Sequence, residues 1–268
     1  KTDIVVIECS SQGLHQGRLN HIVFDTAIIT NLNKDHIEYH KTFKNYTKSK
    51  QKLLNMTRGN IFLNIDCKNT ISEFSNIKKS KTILYGSHID ANIICRLIKP
   101  SNILEDNFIK SNRSLLYKFL VNEGYSLNMI KPILSKKFKV IKGRMNYFSD
   151  KKNNAIYIVD YAHTEYALER LLKDIKIKSG KLFLITLFGC GGNRDMRKRS
   201  RMGAIAKKYS DKIILTDDNP RDEDPMSIIN DIHKKIKDKS NIYIIPNRKK
   251  AIKKAFSMST KDTVIIFS

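Results

Sequence analysis

The apolar run KIIL (212–215) opens almost directly onto DDNPRDEDP, residues 217–225, which sets one arginine, Arg221, among acids. In a chain with 50 Lys and Arg against 26 Asp and Glu, a further cation carries little information; an arginine inside an acidic loop carries more. A guanidinium is a planar fork of N–H donors that can hold a carboxylate in two hydrogen bonds. The same residue types also suit a plain solvated turn, because Asp, Asn and Pro are turn formers. Two further polar loops follow apolar runs: DYAHT (160–164) and GCGGNRDMRKR (189–199). In doubly wound sheets ligands sit outside the carboxyl ends of the strands. Three loops at such ends would let Arg194 and Arg221 converge on one anion. Gly189, Gly191 and Gly192 allow close backbone approach, although tight turns need glycine too.

The amino-terminal half holds a second constellation. ECSSQGLHQGR (8–18) follows one apolar run and NLNKDHIEYHKTFKNYTKSK (31–50) follows the next. Glu8, His36 and the acids nearby could hold a hard cation such as Mg2+, which prefers oxygen ligands. His36 and His40 are equally well read as ordinary polar residues at a helix start.

These groups need elements to position them. Runs reading as strands lie at 3–9, 26–32, 60–66 and 82–87, with helices around 43–56 and over 111–124, the latter ending at Gly124 as a C-cap. A second set follows KGRMNYF: strands at 155–160, 182–189, 212–216, 242–245 and 263–267 alternate with helices at 165–176, 202–210, 226–237 and 248–257. Strands of about five apolar residues alternating with helices predict a parallel, doubly wound α/β sheet. The boundary between the halves falls near Lys142–Arg144.

Composition narrows the classes. A hydrophobic fraction of 41% supports real cores, and no run approaches the ~20 apolar residues of a membrane helix. Cys9, Cys67, Cys95 and Cys190 show neither disulfide nor zinc spacing and suit reduced thiols in the cytoplasm. The net charge of +24 raises nucleic acid as a partner, but the lysines are spread out, apart from KKSK (78–81) and RKRSR (197–201). With no aromatic-interleaved basic motif, neither a nucleic-acid nor a membrane partner is expected.

Taken in order, VIECSSQGLHQGR, TNLNKDHIEYH with YTKSK, GRMNYF, VDYAHTEYALE, FGCGGNRD with MGAIA, and TDDNPRDEDP make the chain similar to the Mur ligases over nearly its whole length. The resemblance implies a Mur-type central domain over 1–142, with part of a P-loop NTPase-like parallel sheet. A Rossmann-like carboxyl-terminal domain would follow over 143–268. It implies ATP as co-substrate, Mg2+, and amide formation through an acyl phosphate, in the branch that adds meso-diaminopimelate to UDP-N-acetylmuramoyl-L-alanyl-D-glutamate for peptidoglycan. A cytoplasmic monomer is expected.

Residue by residue, the resemblance assigns Ser10, Gln16 and Arg18 to the UDP-muramoyl substrate, and Glu8 and His36 to the metal. Lys50 matches a lysine that is carbamylated to an N6-carboxylysine and then serves the metal as well; without the motif it reads as a helix-surface lysine. Glu8, His36 and Lys50 are thus the implied catalytic set. Arg144, Asp160 and His163 fall at nucleotide-binding positions. Arg194, Asp218, Asn219, Pro220 and Arg221 fall at diaminopimelate-binding positions, with the arginines taking the distal carboxylate and the acids its ammonium. The sequence also departs from the family's pattern. Glu165 replaces the usual proline after DYAHT. The phosphate-binding GKT loop would lie before Lys1 and a GKGHE-type motif after Ser268, and the stretch between Tyr85 and Phe108 is short. A fragment is therefore expected, with a decayed, non-catalytic remnant or a sibling amino-acid-adding ligase as alternatives; as given, the chain is expected to lack ligase turnover.

Overall fold

The structure is a computed structural model that describes residues 3–74, 82–89, 92, 107–135, 141–150, 153–180 and 182–268. Cys95 and KKSK (78–81) lie outside the described residues, and the chain divides into two compact units, Lys1–Lys137 and Phe138–Ser268.

In the first unit, β1 (Phe24–Ile29), β2 (Thr57–Asn64) and β3 (Thr82–Tyr85) form a parallel sheet in that order. Ala27 pairs with Ile61 and Ile29 with Leu63, and these four side chains are buried. They pack with Leu14 of α1 (Ser11–His15) and with Leu53 and Leu54 of α3 (Phe43–Asn55). Phe62, the alternate residue of β2, meets Phe119 of α5 (Asn107–Asn122) at 6.0 Å between ring centroids. The central strand is covered on both faces, which explains its unbroken apolar run.

Three short elements went unread in the sequence: α1, α2 (Ile37–His40) and α4 (Lys68–Phe74). So did α6 (Leu127–Ser135), which carries Pro132 in its interior and is held by burial of Ile130 and Leu134 against Tyr117 and Leu120. The expected end of α5 is met by Gly124, in left-handed conformation at φ +84°. One expectation is corrected. Residues 3–9 join no ladder among the described residues, and Ile4, Val5 and Val6 are 77%, 69% and 92% exposed. An apolar run signals a tendency to bury but supplies no hydrogen-bonding partner, and neither β1 nor β2 nor β3 pairs with it.

The second unit is a six-stranded sheet in the order β4–β5–β9–β6–β7–β8. Its strands are β4 (Asn146–Asp150), β5 (Ala155–Val159), β6 (Phe183–Phe188), β7 (Lys212–Leu215), β8 (Ile242–Ile244) and β9 (Thr263–Phe267). All are parallel except β4, an edge strand antiparallel to β5 that the sequence reading did not place.

Alternation sorts the core. Leu184 and Phe188 of β6 face α7 (Glu165–Ser179), α8 (Arg197–Tyr209) and α9 (Pro225–His233), as do Ile213 and Leu215 of β7. Ile185, Leu187 and Ile214 face α10 (Arg248–Ser257) through Ala251 and Ala255. Polar caps start three of these helices: Thr164 on α7, Asp224 before Pro225 on α9, and Asn247 on α10 each accept a backbone N–H three residues on.

The chain passes from β5 to β6, outward to β8, and returns through α10 to insert β9 between β5 and β6. Loops 160–164, 189–196 and 216–224 therefore leave the carboxyl ends of β5, β6 and β7 beside this reversal of order, where doubly wound folds bind ligands.

Candidate active site

In the first unit, Ser10 is the N-cap of α1, its hydroxyl accepting from the Gly13 N–H at 3.0 Å. Gln16 closes the same short helix as its C-cap, and the Arg18 N–H bonds the Gly13 carbonyl at 3.0 Å. Lys52 donates to the carbonyls of Leu14 and His15, at 3.3 Å each. The ECSSQGLHQGR motif is thus a tightly capped turn of helix that presents Ser10, Gln16 and Arg18, all exposed.

Lys50 lies on α3, half-buried, and its Nζ donates to the Cys9 carbonyl at 3.1 Å. Burial is the largest influence on its pKa and lowers it, against the opposite pull of Cys9, Glu8 and Asp35. His36 adopts a left-handed backbone at φ 52°. Its N–H donates to the Asp35 carboxylate at 2.9 Å, and its ring lies 3.6 Å from Asp35 and 3.7 Å from Glu38. Glu8 is exposed.

Among the described residues no three His, Cys, Asp or Glu side chains gather to hold a metal ion, and Lys50 as an ammonium would repel one.

His40 is the group in this region whose environment the sequence hid. It is buried, with Nε2 2.9 Å from the Ser11 hydroxyl and Nδ1 3.5 Å from that of Ser49. Rings of His15, Tyr39 and Tyr46 meet it edge-on at 4.8 to 5.8 Å. It ties α1, α2 and α3 together beside the Lys50 helix. Burial lowers its pKa most, and charge on His15, His36 and Lys50 lowers it further, against a smaller opposing pull from Glu38. The unfolded chain therefore takes up a proton near pH 6.5 that the folded chain refuses until lower pH. Stability from this site is present above about pH 6.5 and is lost as pH falls through the folded pKa. His40→Asn is expected to lower stability by roughly 1–3 kcal/mol at neutral pH, through buried hydrogen bonds lost or left unmade. It is also expected to flatten the acid limb of a plot of urea midpoint against pH; an acid limb as steep as the parent's would exclude this role.

In the second unit, the Arg144 guanidinium lies 4.4 Å from the Tyr161 ring centroid, and the His163 ring meets the same tyrosine at 5.0 Å. Asp160 accepts the Met145 N–H at 2.9 Å, which pins the turn before β4. Lys198 donates to the His163 carbonyl at 2.8 Å. Glu165, standing where the family's pattern has proline, starts α7 and pairs with Arg201 at 3.1 Å.

The acidic loop packs on the glycine loop. The Gly192 N–H donates to the Asn219 carbonyl at 3.1 Å, and Arg221 returns a bond from its guanidinium to the Gly192 carbonyl. A Cβ at Gly192 would sit 1.7 Å from the Pro220 carbonyl oxygen, so only glycine allows this approach. Asn219 and Arg221 are left-handed, at φ 49° and 54°. Asp218, Asn219, Arg194 and Arg221 are exposed, with Pro220 partly covered. The structure thus brings Arg221 onto the glycine loop that carries Arg194.

Sequence reasoning missed the residues beneath. Arg199 is fully buried and bonds both oxygens of Glu223, at 2.7 and 2.8 Å, and Asp231 at 3.0 Å. Within RKRSR it looked like part of a solvated basic run; α8 in fact begins at Arg197, five residues before the expected start. Glu223, counted only as one more loop acid, has its pKa pulled down to about 2, first by Arg199 and then by the Asn193 N–H. Arg248 also went unread; it reaches the Asp217 carbonyl at 3.3 Å and that of Ser268 at 3.0 Å, joining the ends of β7 and β9.

Comparison with known proteins now decides the family. The Mur ligase middle domain matches residues 1–115, and the domain described as Mur ligase, glutamate ligase domain matches residues 143–268. The chain belongs to the Mur ligases. Among Mur ligases it is 38% identical over 287 residues to UDP-N-acetylmuramoyl-L-alanyl-D-glutamate--2,6-diaminopimelate ligase 1 of Clostridium acetobutylicum, with 100% of this chain and 58% of that protein covered. It is 37% identical over 289 residues to the ligase of the same description from Wigglesworthia glossinidia brevipalpis, covering 98% and 57%. The chain thus spans under three fifths of the length of these relatives.

Among solved Mur ligases, the MurF ligase of Thermotoga maritima in complex with ADP superposes with a TM-score of 0.68 at 13% identity. That match covers 97% of this chain and 61% of the other, a likeness of fold alone. No described helix is long and apolar enough to cross a membrane.

Proposed function

We propose that the complete protein carrying this chain is an ATP-dependent amide ligase. It joins meso-diaminopimelate to the D-glutamate carboxyl of UDP-N-acetylmuramoyl-L-alanyl-D-glutamate, a step of peptidoglycan precursor synthesis. The observation that carries the reading is the docked pair of loops at the ends of β6 and β7, with Arg221, flanked in sequence by acids, held against Gly192. The names of relatives at 37–38% identity support it.

The reaction has two balanced steps. A glutamate carboxylate oxygen attacks the γ-phosphorus of ATP, the bond to the ADP oxygen breaks, and an acyl phosphate forms. The diaminopimelate amine then attacks the acyl carbon, phosphate leaves with the bonding pair, and the nitrogen loses a proton. Positioning and charge stabilisation are what a protein adds to such chemistry. Arg221 and Arg194 would hold the distal carboxylate, and Asp218 and Asn219 the distal ammonium. Ser10, Gln16 and Arg18 would hold the muramoyl nucleotide, and Arg144, Asp160 and His163 would attend the ATP, with Mg2+ entering as MgATP, part of the co-substrate.

Lys50 supplies a further element of the proposal. Its lowered pKa favours the neutral amine, whose nitrogen can add to CO2 and release a proton, leaving a carbamate of opposite charge. A division near residues 142 and 143, a monomer whose two loops come from one chain, and a cytoplasmic location beside its nucleotide substrates complete the reading. The test is turnover by the complete protein with ATP and the UDP-linked dipeptide. Release of phosphate that depends on meso-diaminopimelate and exceeds that with L-lysine is expected; equal or faster use of lysine would overturn it.

A further inference from the structure

We propose that Arg199, which faces away from solvent beneath the two loops, is the positioning residue that sets where Arg221 points; this rests on the amino-acid site proposed above. Its guanidinium grips Glu223 through both carboxylate oxygens and reaches Asp231 on α9 with the same terminal nitrogen, NH1, that holds one of them. Glu223 in turn accepts the Asn193 N–H from the glycine loop, while the Asn193 side chain reaches Asp222 at 2.8 Å. A single carboxylate of the acidic loop is therefore bonded to both the glycine loop and the buried guanidinium.

The Glu223 N–H donates to the Pro220 carbonyl at 3.0 Å, closing a turn that contains Arg221. Within this web Asn193, Asn219 and Arg221 all hold left-handed backbones, which side chains other than glycine avoid unless the surroundings impose them.

Helix stability does not explain Arg199. A cation in the first turn opposes the helix dipole. Burying a guanidinium costs desolvation that its partners must offset, and an apolar residue could fill such a site at no loss of stability. The expensive arrangement is accounted for by what it orients. Arg199 touches neither Arg221 nor, on this reading, any substrate. It acts through Glu223 on the backbone that carries Arg221, and through Asn193 on the loop that carries Arg194. Its Nε is buried without a partner, so the grip rests on the two terminal nitrogens alone. Lysine, with one point charge, cannot span both Glu223 oxygens and Asp231.

The experiment compares Arg199→Lys, Glu223→Gln and Glu223→Ala in the complete protein with the parent. Two readouts are used: steady-state kinetics, and hydrogen exchange of the two loops. Arg199→Lys is expected to raise the KM for meso-diaminopimelate by about tenfold, the scale of one charged hydrogen bond. kcat and the KM values for ATP and the UDP-linked dipeptide should stay within about twofold, because those substrates meet other residues. Glu223→Gln, whose amide oxygen still accepts from Asn193, should recover part of what Glu223→Ala loses.

In exchange, loops 189–195 and 217–224 should lose protection together while α10 and β9 keep theirs. An unchanged diaminopimelate KM in all three variants, or a fall of every parameter in step with the folded fraction, would overturn the clamp. Parent protein that does not use diaminopimelate would instead overturn the proposed function. The clamp would then stand on concerted loss of protection in both loops, and fall if they exchange independently.

Discussion

Arg221→Ala in the complete protein is expected to raise the KM for meso-diaminopimelate by roughly a hundredfold and to erase most of its advantage over lysine. Arg221 already spends one N–H on the Gly192 carbonyl, which leaves others for a carboxylate. Each bond between charged partners contributes about 1.5–3 kcal/mol, so losing a bidentate pair costs on the order of 3 kcal/mol, about two decades in affinity. Arg221→Lys retains the charge but can neither make two parallel bonds nor keep its hold on Gly192, and should lose about tenfold. Lysine has no distal carboxylate, so its own KM should change little in either variant. Steady-state kinetics with both amino acids decide the matter. If Arg221→Ala leaves the preference unchanged, the loop is a turn and nothing more.

Lys50→Ala is expected to cost more in turnover than in binding. Removing one preorganised electrostatic group at a reacting centre typically lowers kcat by about 10²–10³. A carbamylated Lys50 would bring such a group, and burial shifts its half-buried amine's pKa down, in the direction of the neutral form that CO2 requires. Since deprotonation must precede addition, carbamylation should rise with pH. Activity of the parent protein should fall on removal of bicarbonate and recover when it is restored. In the alanine variant a short carboxylic acid should restore part of the activity, since it can occupy the space that the side chain leaves. Rates equal to the parent's in Lys50→Ala, with no dependence on bicarbonate, would remove Lys50 from the mechanism.

Much of the second unit was legible because its signals are local. Strand β9 and helix α10 fall where the apolar run and the amphipathic stretch placed them, at 263–267 and 248–257. Strands buried on both faces need continuous apolar residues, and caps such as Thr164, Asp224 and Asn247 act within a single turn. The first unit was less legible, since α1 and α2 are 5 and 4 residues long and hold their shape through caps and through His40 rather than through periodicity. The run at 3–9 misled for a related reason: apolar character is written in the sequence, while pairing belongs to whichever strand lies alongside.

By itself the sequence determined the Mur ligase family, the alternating α/β plan of the second unit, and the loops that bear its chemistry, because ordered motifs and burial periods are properties of neighbouring residues. Only the tertiary structure decided which charges matter. Arg199 and Arg197 are two letters apart, yet one is fully buried between Glu223 and Asp231 and the other pairs with Asp195 at the surface. Likewise Glu223, one acid among several in its loop, has its pKa drawn down to about 2 by Arg199 and the Asn193 N–H. Desolvation and pairing depend on residues 24 to 32 positions away, brought close by the packing of α8 and α9 at the ends of parallel strands, and no local pattern encodes that distance.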